Sequence, residues 1–187
     1  MRITILNGEP ESASGFDGYV HKVALRLEAS GHMVTTVELR ELDLKGCSGC
    51  WGCWVKTPGE CVKRDDSAKV CRATINADLL VLASPVTMGF TTSLLKRAFD
   101  QMISLVHPYL VVEGGEAHHR ARYANYPEFG LLLNEGKDTD AEDIEITTAM
   151  WKRTARNLKS RLVFTVVADG FSNRTAEEAA DEIAAAA

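Results

Sequence analysis

Four cysteines lie close together in one glycine-rich stretch of the sequence, at Cys47, Cys50, Cys53 and Cys61. The spacing C-x2-C-x2-C-x7-C brings three sulfurs onto one concave loop, because the intervening glycines let the backbone turn tightly. Such a set can hold an iron–sulfur cluster or a zinc ion, or it can stay metal-free as thiols that form a reversible disulfide. The fifth cysteine, Cys71, falls on the apolar face of a predicted short helix and is expected to be a core thiol.

A second candidate site is the Gly/Ser-rich segment from Asn7 to Phe16, which joins a short apolar strand to a helix. Backbone N–H groups and hydroxyls at a helix N-terminus can bind phosphate. The alternative is a loop whose serines only cap the helix. Glu9 and Glu11 disfavour phosphate, because a carboxylate close to a phosphate is repelled by it.

A third candidate is the segment from Ser84 to Phe90 (SPVTMGF), which follows the most continuous apolar run in the chain. In open parallel sheets, ligands bind outside the carboxyl ends of the strands, where the direction of winding reverses. A loop at that place lies along the edge of a planar ligand. Thr87 and Met88 are small or flexible, so they can contact a ring but stack on it poorly. The alternative is an ordinary turn in which Phe90 packs into the core.

A histidine pair, His118 and His119, lies beside Glu116 in a long segment over 107–125. Histidine and carboxylate together can bind a metal or act as a general base. These residues are nearly adjacent and lack a third ligand at a helical offset. We therefore expect a contact between subunits, or a lid over the ligand.

Five apolar or β-branched segments alternate with helical patterns along the chain. The predicted strands are 2–7, 33–39, 78–84, 129–133 and 161–168; the predicted helices are 18–30, 67–76, 91–106, a fourth ending near 158 and a fifth starting near 175. A capping-box pattern, Thr139 with Glu142, opens the fourth helix. This alternation predicts an α/β fold, a three-layer flavodoxin-like doubly wound sheet of five parallel strands in the order 2-1-3-4-5. A ligand is then expected at the carboxyl ends of strands 1, 3 and 4.

The chain of 187 residues has the length of one domain, 1–187, in which 46–66 and 107–126 are insertions. Its net charge of −5, without a basic stripe, disfavours nucleic acid and an anionic membrane as partners. No run approaches the roughly 18 apolar residues of a membrane span. No secretory leader opens the sequence, so a cytoplasmic location is expected. In that compartment cysteines serve metals, clusters or redox chemistry more often than structural disulfides.

Four stretches carry a resemblance to a known family. They are Asn7–Pro10 (NGEP), the cysteine segment with the VKRDD that follows it, Ala77–Val86 (ADLLVLASPV) and Leu94–Asp100 (LLKRAFD). In this order they resemble the flavodoxin-like NAD(P)H-dependent FMN reductase superfamily, and within it the branch that includes iron–sulfur flavoproteins. The likeness is clear over 1–105 and weaker through the last two strands.

That resemblance implies an FMN site with three parts. It assigns to the phosphate the residues Gly8, Pro10, Ser12, Ser14, Gly15 and Phe16. It assigns to the edge of the isoalloxazine ring Pro85, Val86, Thr87, Met88 and Gly89, and to the other side of the ring Asn134, Glu135 and Gly136. It also implies a [4Fe–4S] cluster on Cys47, Cys50, Cys53 and Cys61. Because the flavin carries the redox chemistry, no side chain is assigned as catalytic.

The sequence departs from the family pattern at two places. In the phosphate loop Glu9 replaces a serine, Glu11 replaces a basic residue and Gly15-Phe16 replaces Asn-Thr. In the ring loop Thr87-Met88 stands where an aromatic residue is common. Both differences are expected to weaken FMN binding or to open the pocket to another ligand.

The function that the resemblance implies is an FMN-dependent oxidoreductase. It would pass electrons from NAD(P)H or a protein donor to a quinone, flavin or other acceptor, and would assemble as a homodimer or homotetramer. The alternative is a non-catalytic flavodoxin-like scaffold with a decayed flavin site, acting as a thiol or redox sensor or as an electron-transfer partner.

Overall fold

The computed structural model of the protein describes residues 1–168 and 174–186. Its strands are β1 (Arg2–Asn7), β2 (Met33–Glu38), β3 (Leu79–Thr87), β4 (Phe90–Thr91), β5 (Val106–Glu113), β6 (Glu116–Ala121), β7 (Glu128–Asn134) and β8 (Leu162–Ala168). Five of them form a parallel sheet in the order β2-β1-β3-β7-β8. Counted among themselves, these five follow the order 2-1-3-4-5, so the predicted doubly wound sheet is confirmed.

Helices cover both faces of this sheet. They are α1 (Gly15–Ala29), α2 (Gly52–Val55), α3 (Ser67–Ile75), α4 (Ser93–Asp100), α5 (Ala141–Asn157) and α6 (Ala176–Ala186). α1 and α6 pack on one face, and α3, α4 and α5 pack on the other. Within residues 1–168 and 174–186, no helix combines the length and the apolar character needed to cross a membrane.

The central strand β3 shows why the sheet forms where the apolar run predicts it. Its residues from Leu79 to Ser84 are all buried. Successive side chains alternate between faces, so Val81 packs under α1 and α6 whereas Leu80 and Leu82 pack under the opposite helices. A parallel strand covered on both faces must be apolar throughout, which explains the continuous run.

The segment over 107–126 is mostly a β-hairpin, which corrects the predicted loop. β5 and β6 pair antiparallel, and Gly114 and Gly115, both with positive φ, form the two-residue turn. The pairing register shifts between Val106 and Leu110. Pro108 lies in that interval and cannot donate a ladder hydrogen bond. The proline and the irregular register hide the alternation that would have predicted β5.

Two helix bounds also differ from the prediction. α1 begins at Gly15 rather than at 18, because the Ser14 hydroxyl accepts a hydrogen bond of 3.0 Å from the Asp17 N–H and so caps the helix. The helix predicted over 91–106 ends at Asp100 and continues as a 3₁₀ turn to Leu105. Tightening of the last turn in this way is common at helix ends.

The N-terminus of α5 is capped one residue later than predicted. Asp140 and Asp143 form the capping box through hydrogen bonds of 3.0 and 3.2 Å. Thr139, predicted to cap the helix with Glu142, instead accepts a hydrogen bond of 3.0 Å from the Gly136 N–H. The two patterns overlap by one residue, so spacing alone cannot separate them.

Candidate functional site

Three loops meet at the carboxyl edge of the sheet, where the winding direction reverses. β1 continues into α1 on one face, whereas β3 and β7 lead to α4 and α5 on the other. β3 lies between β1 and β7, so the loops after residues 7, 87 and 134 are neighbours. This is the place where open α/β sheets bind ligands.

The first loop is fastened to the end of β3 through Gly8. Its N–H donates to the Ala83 carbonyl at 2.8 Å, and its carbonyl accepts from the Thr92 hydroxyl at 2.7 Å. The Thr92 N–H in turn donates to the Ser84 hydroxyl at 2.9 Å. A Cβ at Gly8 would lie 3.0 Å from the Ala83 oxygen, so glycine is what allows this approach. Gly8 therefore positions two of the three loops.

The predicted turn over 85–89 is the tip of a short hairpin between β3 and β4. Met88 and Gly89 both have positive φ, as a two-residue hairpin turn requires. The Met88 side chain is 100% exposed, while the Gly89 carbonyl accepts from the Thr147 hydroxyl of α5 at 3.2 Å. A Cβ at Gly89 would lie 2.7 Å from Asp143 Oδ1. The tip is thus held against α5 and presents Met88 at the edge.

The end of β7 supplies a polar atom to the same edge. Asn134 pairs in register with Pro85 of β3. Its Oδ1 is buried and has no hydrogen-bond partner among the residues that the structure describes. Beyond it, Gly136 approaches β3 closely, because a Cβ there would lie 3.3 Å from the Val86 carbonyl. The edge therefore contains a buried oxygen that has no hydrogen-bond donor among the described residues.

The remaining residues of the predicted phosphate loop are divided between surface and core. Ser12 and Gly15 are exposed and Ser14 half-exposed at the start of α1, where backbone N–H groups favour an anion. Pro10 is also exposed. Phe16 lies in the first turn of α1, and its side chain is buried in the core between α1 and the sheet.

Two N–H groups of this loop already donate to carboxylates of the chain. The Glu9 side chain is buried and accepts from the Glu11 N–H at 2.9 Å. The Asp17 carboxylate accepts from the Ala13 N–H at 3.0 Å. These are the groups that a bound phosphate would use in such a loop.

A buried ion-pair network lies beside the loop. The Asn7 side-chain amide donates to Asp17 and Glu38 at 2.8 Å each, and Arg40 Nη1 lies 2.8 Å from the same two carboxylates. Burial raises the pKa of Asp17, but hydrogen bonds from Ala13, Arg40 and Asn7 outweigh burial and leave the pKa below its ordinary value. The loop is therefore built around an ionised aspartate.

The same network contains a group with the spacing of metal ligands. Asp17, His21 and Glu38 place ligand atoms within 4.8 Å of one another. Arg40 supplies the positive charge that two of these residues need. We therefore describe the group as a charge-balanced network and assign it no metal.

The two ends of the cysteine segment are clamped together at its base. The Lys45 N–H donates to Asp65 at 3.0 Å, and the Asp43 N–H donates to Asp66 at 3.0 Å. The Gln101 side chain, from the 3₁₀ turn after α4, donates to Asp65 at 3.2 Å and also to the Lys45 carbonyl. The cysteines are thus carried on a closed loop with a fixed base.

All four cysteines of the motif line one small cavity of ≈ 20 Å³. Cys47 and Cys50 are exposed, Cys61 is half-buried and Cys53 is buried. Burial, and next the neighbouring Cys61, raises the pKa of Cys53. A hydrogen bond from the Gly52 N–H lowers the pKa of Cys50. The fold therefore brings together the four sulfurs that the spacing predicts.

A tight contact joins the two halves of the motif. A Cβ at Gly52 would lie 2.5 Å from Val62 Cγ1. Because glycine has no side chain, the segment that carries Cys50 and Cys53 can pack against the segment that carries Cys61. A single zinc ion with Zn–S bonds of about 2.3 Å needs sulfurs about 3.8 Å apart. In the part of the chain that the structure describes, no three of these sulfurs lie within 4.8 Å of one another. The four sulfurs thus share one cavity without being gathered at the spacing of a single zinc ion.

The histidine pair does not converge on a metal site within the described residues. His118 Nε2 lies 3.1 Å from Glu116 Oε2, and Glu116 also pairs with Arg153 at 2.7 Å. The His119 ring packs 4.8 Å from the ring of Trp54. Glu116 thus connects the β5–β6 hairpin to α5, and His119 connects it to the cysteine segment.

The family of the chain follows from comparison with protein-family models. The model for NADPH-dependent FMN reductase matches residues 1–125. The chain belongs to the NADPH-dependent FMN reductase family. The match includes the first loop, the cysteine segment and the β3–β4 tip. The loop over 134–136 lies outside it.

One curated relative is an iron–sulfur flavoprotein from Archaeoglobus fulgidus. It is 31% identical over 107 residues, which are 57% of this chain and 48% of the relative. The chain spans about half the length of the curated relatives it matches.

Two solved structures share the fold of this family member at low sequence identity. NAD(P)H:quinone oxidoreductase from Methanothermobacter marburgensis has a TM-score of 0.69 at 18% identity, covering 98% of this chain and 95% of that one. The FMN-dependent NADH-azoreductase from Bacillus anthracis, solved in complex with FMN, has a TM-score of 0.67 at 13% identity, covering 98% and 100%. Both support the flavodoxin-like architecture.

Sequence analysis did not predict three residues that shape the site region. Asp17, Glu38 and Arg40 shape the first loop, although the sequence pattern singled out none of them. The sequence features that could have indicated this network were an acidic residue in the first turn of α1 and a basic residue just after β2. Their meeting depends on β1 and β2 being neighbours, which local spacing does not show.

Proposed function

We propose that the chain is an FMN-dependent oxidoreductase that passes electrons from NAD(P)H or a protein donor to a quinone, flavin or other acceptor. The observation that carries this proposal is the meeting of the loops after β1, β3 and β7 at one edge, where β7 ends in Asn134 with a buried, unpartnered Oδ1. Membership of the FMN reductase family supports it. FMN, when bound, supplies the hydride and single-electron chemistry.

The residues at the ends of β3 and β7 fit the ring part of a flavin. In this proposal Asn134 Oδ1 accepts an N–H from the ring, which removes the cost of leaving that buried oxygen unpaired. Met88 offers a free apolar side chain at the edge of the site. The backbone at Gly136 approaches the Val86 carbonyl closely, so the two loops lie next to each other. In this proposal the protein binds and orients the ring, while no side chain has to act as acid or base.

The residues of the first loop suit the phosphate of FMN incompletely. Ser12, Ser14 and Gly15 lie at the N-terminus of α1, which favours an anion. Glu9 and Asp17 add negative charge beside them and occupy two backbone N–H groups. FMN is therefore held chiefly through its ring in this proposal.

A binding experiment tests the placement of the ring. FMN affinity is measured by quenching of flavin fluorescence for the flavin-free wild type, Asn134→Ala and Asn125→Ala, an exposed control. Loss of one buried hydrogen bond is expected to weaken FMN binding about tenfold in Asn134→Ala. The control should bind like wild type. Equal affinity in all three proteins would place the ring elsewhere.

A second proposal concerns the cysteine segment. We propose that Cys47, Cys50, Cys53 and Cys61 hold a [4Fe–4S] cluster, because they line one cavity and because a relative is named an iron–sulfur flavoprotein. The cavity of ≈ 20 Å³ has room for about one water, so the exposed arm with Cys47 and Cys50 must move outward to admit a cluster.

Iron and acid-labile sulfide assays on anaerobically purified protein test the cluster. About four of each per chain are expected in wild type and in Cys71→Ser, and far fewer in Cys53→Ser. Wild type without iron would leave these residues as free thiols.

We also propose a homodimer or homotetramer that acts on a small-molecule or protein redox partner in the cytoplasm. The β5–β6 hairpin exposes Tyr109, Leu110 and Val112, a surface typical of contacts between subunits. Light scattering after size exclusion should show an oligomer that Leu110→Lys weakens and that Leu25→Lys, an equally exposed site on α1, leaves intact. A monomeric wild type would contradict the assembly.

A further inference from the structure

The first loop is short of positive charge where a flavin phosphate would bind. The segment over 7–17 contains Glu9, Glu11 and Asp17 and no lysine or arginine. Arg40, which reaches the loop from the 3₁₀ turn after β2, is already paired with Asp17 and Glu38. A phosphate dianion entering this loop would therefore meet carboxylates, while the nearby cation, Arg40, is already paired with other carboxylates.

Glu9 differs from Glu11 in its place within the loop. The Glu9 residue is only 6% exposed, and its carboxylate turns back to accept the Glu11 N–H at 2.9 Å. Its own N–H donates to the Asn7 side chain at 3.1 Å, and its carbonyl accepts from Arg40 at 3.4 Å. Glu11 is exposed. Glu9 is thus a fixed anion inside the loop, whereas Glu11 points its charge to solvent.

We propose that the Glu9 carboxylate occupies the position of a flavin phosphate in the first loop and sets the preference of the site between phosphorylated and unphosphorylated flavin. The inference rests on the proposed function, since it assumes that the ring binds at the carboxyl edge. With Glu9 in place, the phosphate contributes little to binding, so FMN and riboflavin bind with similar affinity. Removing the Glu9 charge makes the site selective for FMN.

The test compares FMN and riboflavin as probes on flavin-free protein. Dissociation constants are measured by fluorescence quenching for wild type, Glu9→Gln and Glu11→Gln. Glutamine keeps an oxygen that accepts the Glu11 N–H, so Glu9→Gln removes charge with little change in shape. Glu11→Gln removes the same charge two residues away and is the matched control.

We expect the two flavins to bind wild type within about threefold of each other, and Glu9→Gln to tighten FMN about tenfold without changing riboflavin. Glu11→Gln should leave both affinities within about twofold, because its exposed charge is screened. Wild type that prefers FMN by about a hundredfold or more, or a Glu9→Gln that changes neither flavin or both alike, would overturn the inference. Failure of both flavins to bind any of the proteins would instead overturn the proposed function.

A measurement on unmodified protein guards against a variant that does not fold. A loop that attracted the phosphate would bind FMN more weakly as the ionic strength rises. Because the phosphate contributes little to binding in this inference, we expect the affinities for FMN and for riboflavin not to fall with salt. FMN affinity that falls with salt would mean that the loop attracts the phosphate, contrary to the inference.

Discussion

At the scale of single residues, Asp17 decides how the first loop is built. Its carboxylate accepts hydrogen bonds from Asn7, Ala13 and Arg40 and is almost completely buried. A buried carboxylate is stable only when such donors compensate for the loss of water. The loop therefore takes its shape from this one ionised group.

Asp17→Asn is predicted to lower the free energy of unfolding by about 2–3 kcal/mol, because it leaves Arg40 partly unpaired in a buried place. Asp181→Asn breaks an exposed pair with Arg26 and should cost less than about 1 kcal/mol. Urea denaturation of both variants measures the difference. Equal costs would show that the Asp17 network does not hold the loop.

The same residue predicts a dependence of stability on pH. The pKa of Asp17 is lowered in the folded protein, so its contribution is complete above the ordinary value of 3.8 and is lost as the pH falls below it. The difference in stability between wild type and Asp17→Asn should therefore shrink in acid. A difference that grows below pH 3.8 would reverse this assignment of the charge.

Residue types and spacing predicted the cysteine cluster better than they predicted this network. The four cysteines lie within fifteen positions of one another, so a single loop brings them to one cavity. Asp17 and Arg40 come from separate elements, and their pairing follows from the order of β1 and β2. Local spacing therefore predicts the grouping of the cysteines, but it does not predict the pairing of Asp17 with Arg40.

At the scale of elements, the packing of β7 on β8 depends on one glycine. Gly130 pairs in register with Phe164, and a Cβ at Gly130 would enter the Phe164 ring. The edge that carries Asn134 is continued from this part of β7. The absence of a side chain at Gly130 is thus a condition for the position of the site.

Gly130→Ala is predicted to destabilise the protein by about 1–3 kcal/mol through overpacking. Adding Phe164→Leu should recover part of the loss, because a smaller side chain makes room for the new methyl group. Thermal unfolding of the single variants and of the double variant gives the coupling between the two sites. Strictly additive effects would contradict the contact.

Element types could be predicted from sequence wherever the pattern was long and regular. The continuous apolar run of β3 and the helical spacing of α5 are examples. β5 could not, because Pro108 interrupts its pairing and its side chains are mostly exposed. The β3–β4 hairpin was hidden for a different reason, since its two-residue tip is Met88-Gly89 rather than a common turn pair.

At the scale of the whole molecule, the strand order explains where a cofactor is expected. Alternating strands and helices predicted a parallel sheet, and the reversal of winding between β1 and β3 creates an edge with three adjacent loops. The chain belongs to the NADPH-dependent FMN reductase family, and our proposal puts the flavin at this edge. In that proposal, the strength with which each end of the flavin is held depends on Asn134 and Glu9.

The most direct test of the proposed reductase function is an anaerobic absorption spectrum of the protein, incubated with FMN and freed of unbound flavin, recorded before and after addition of NADPH. We expect about one bound FMN per chain at the switch-point edge, and loss of the oxidised flavin band when NADPH is added. The variant Pro85→Ala with Gly89→Val should keep the fold but retain less flavin, since Gly89 has positive φ and no room for a side chain. A wild-type protein that retains no flavin, or a bound flavin that NADPH does not reduce even with NADH as a second donor, would contradict the proposed reductase and favour the non-catalytic alternative.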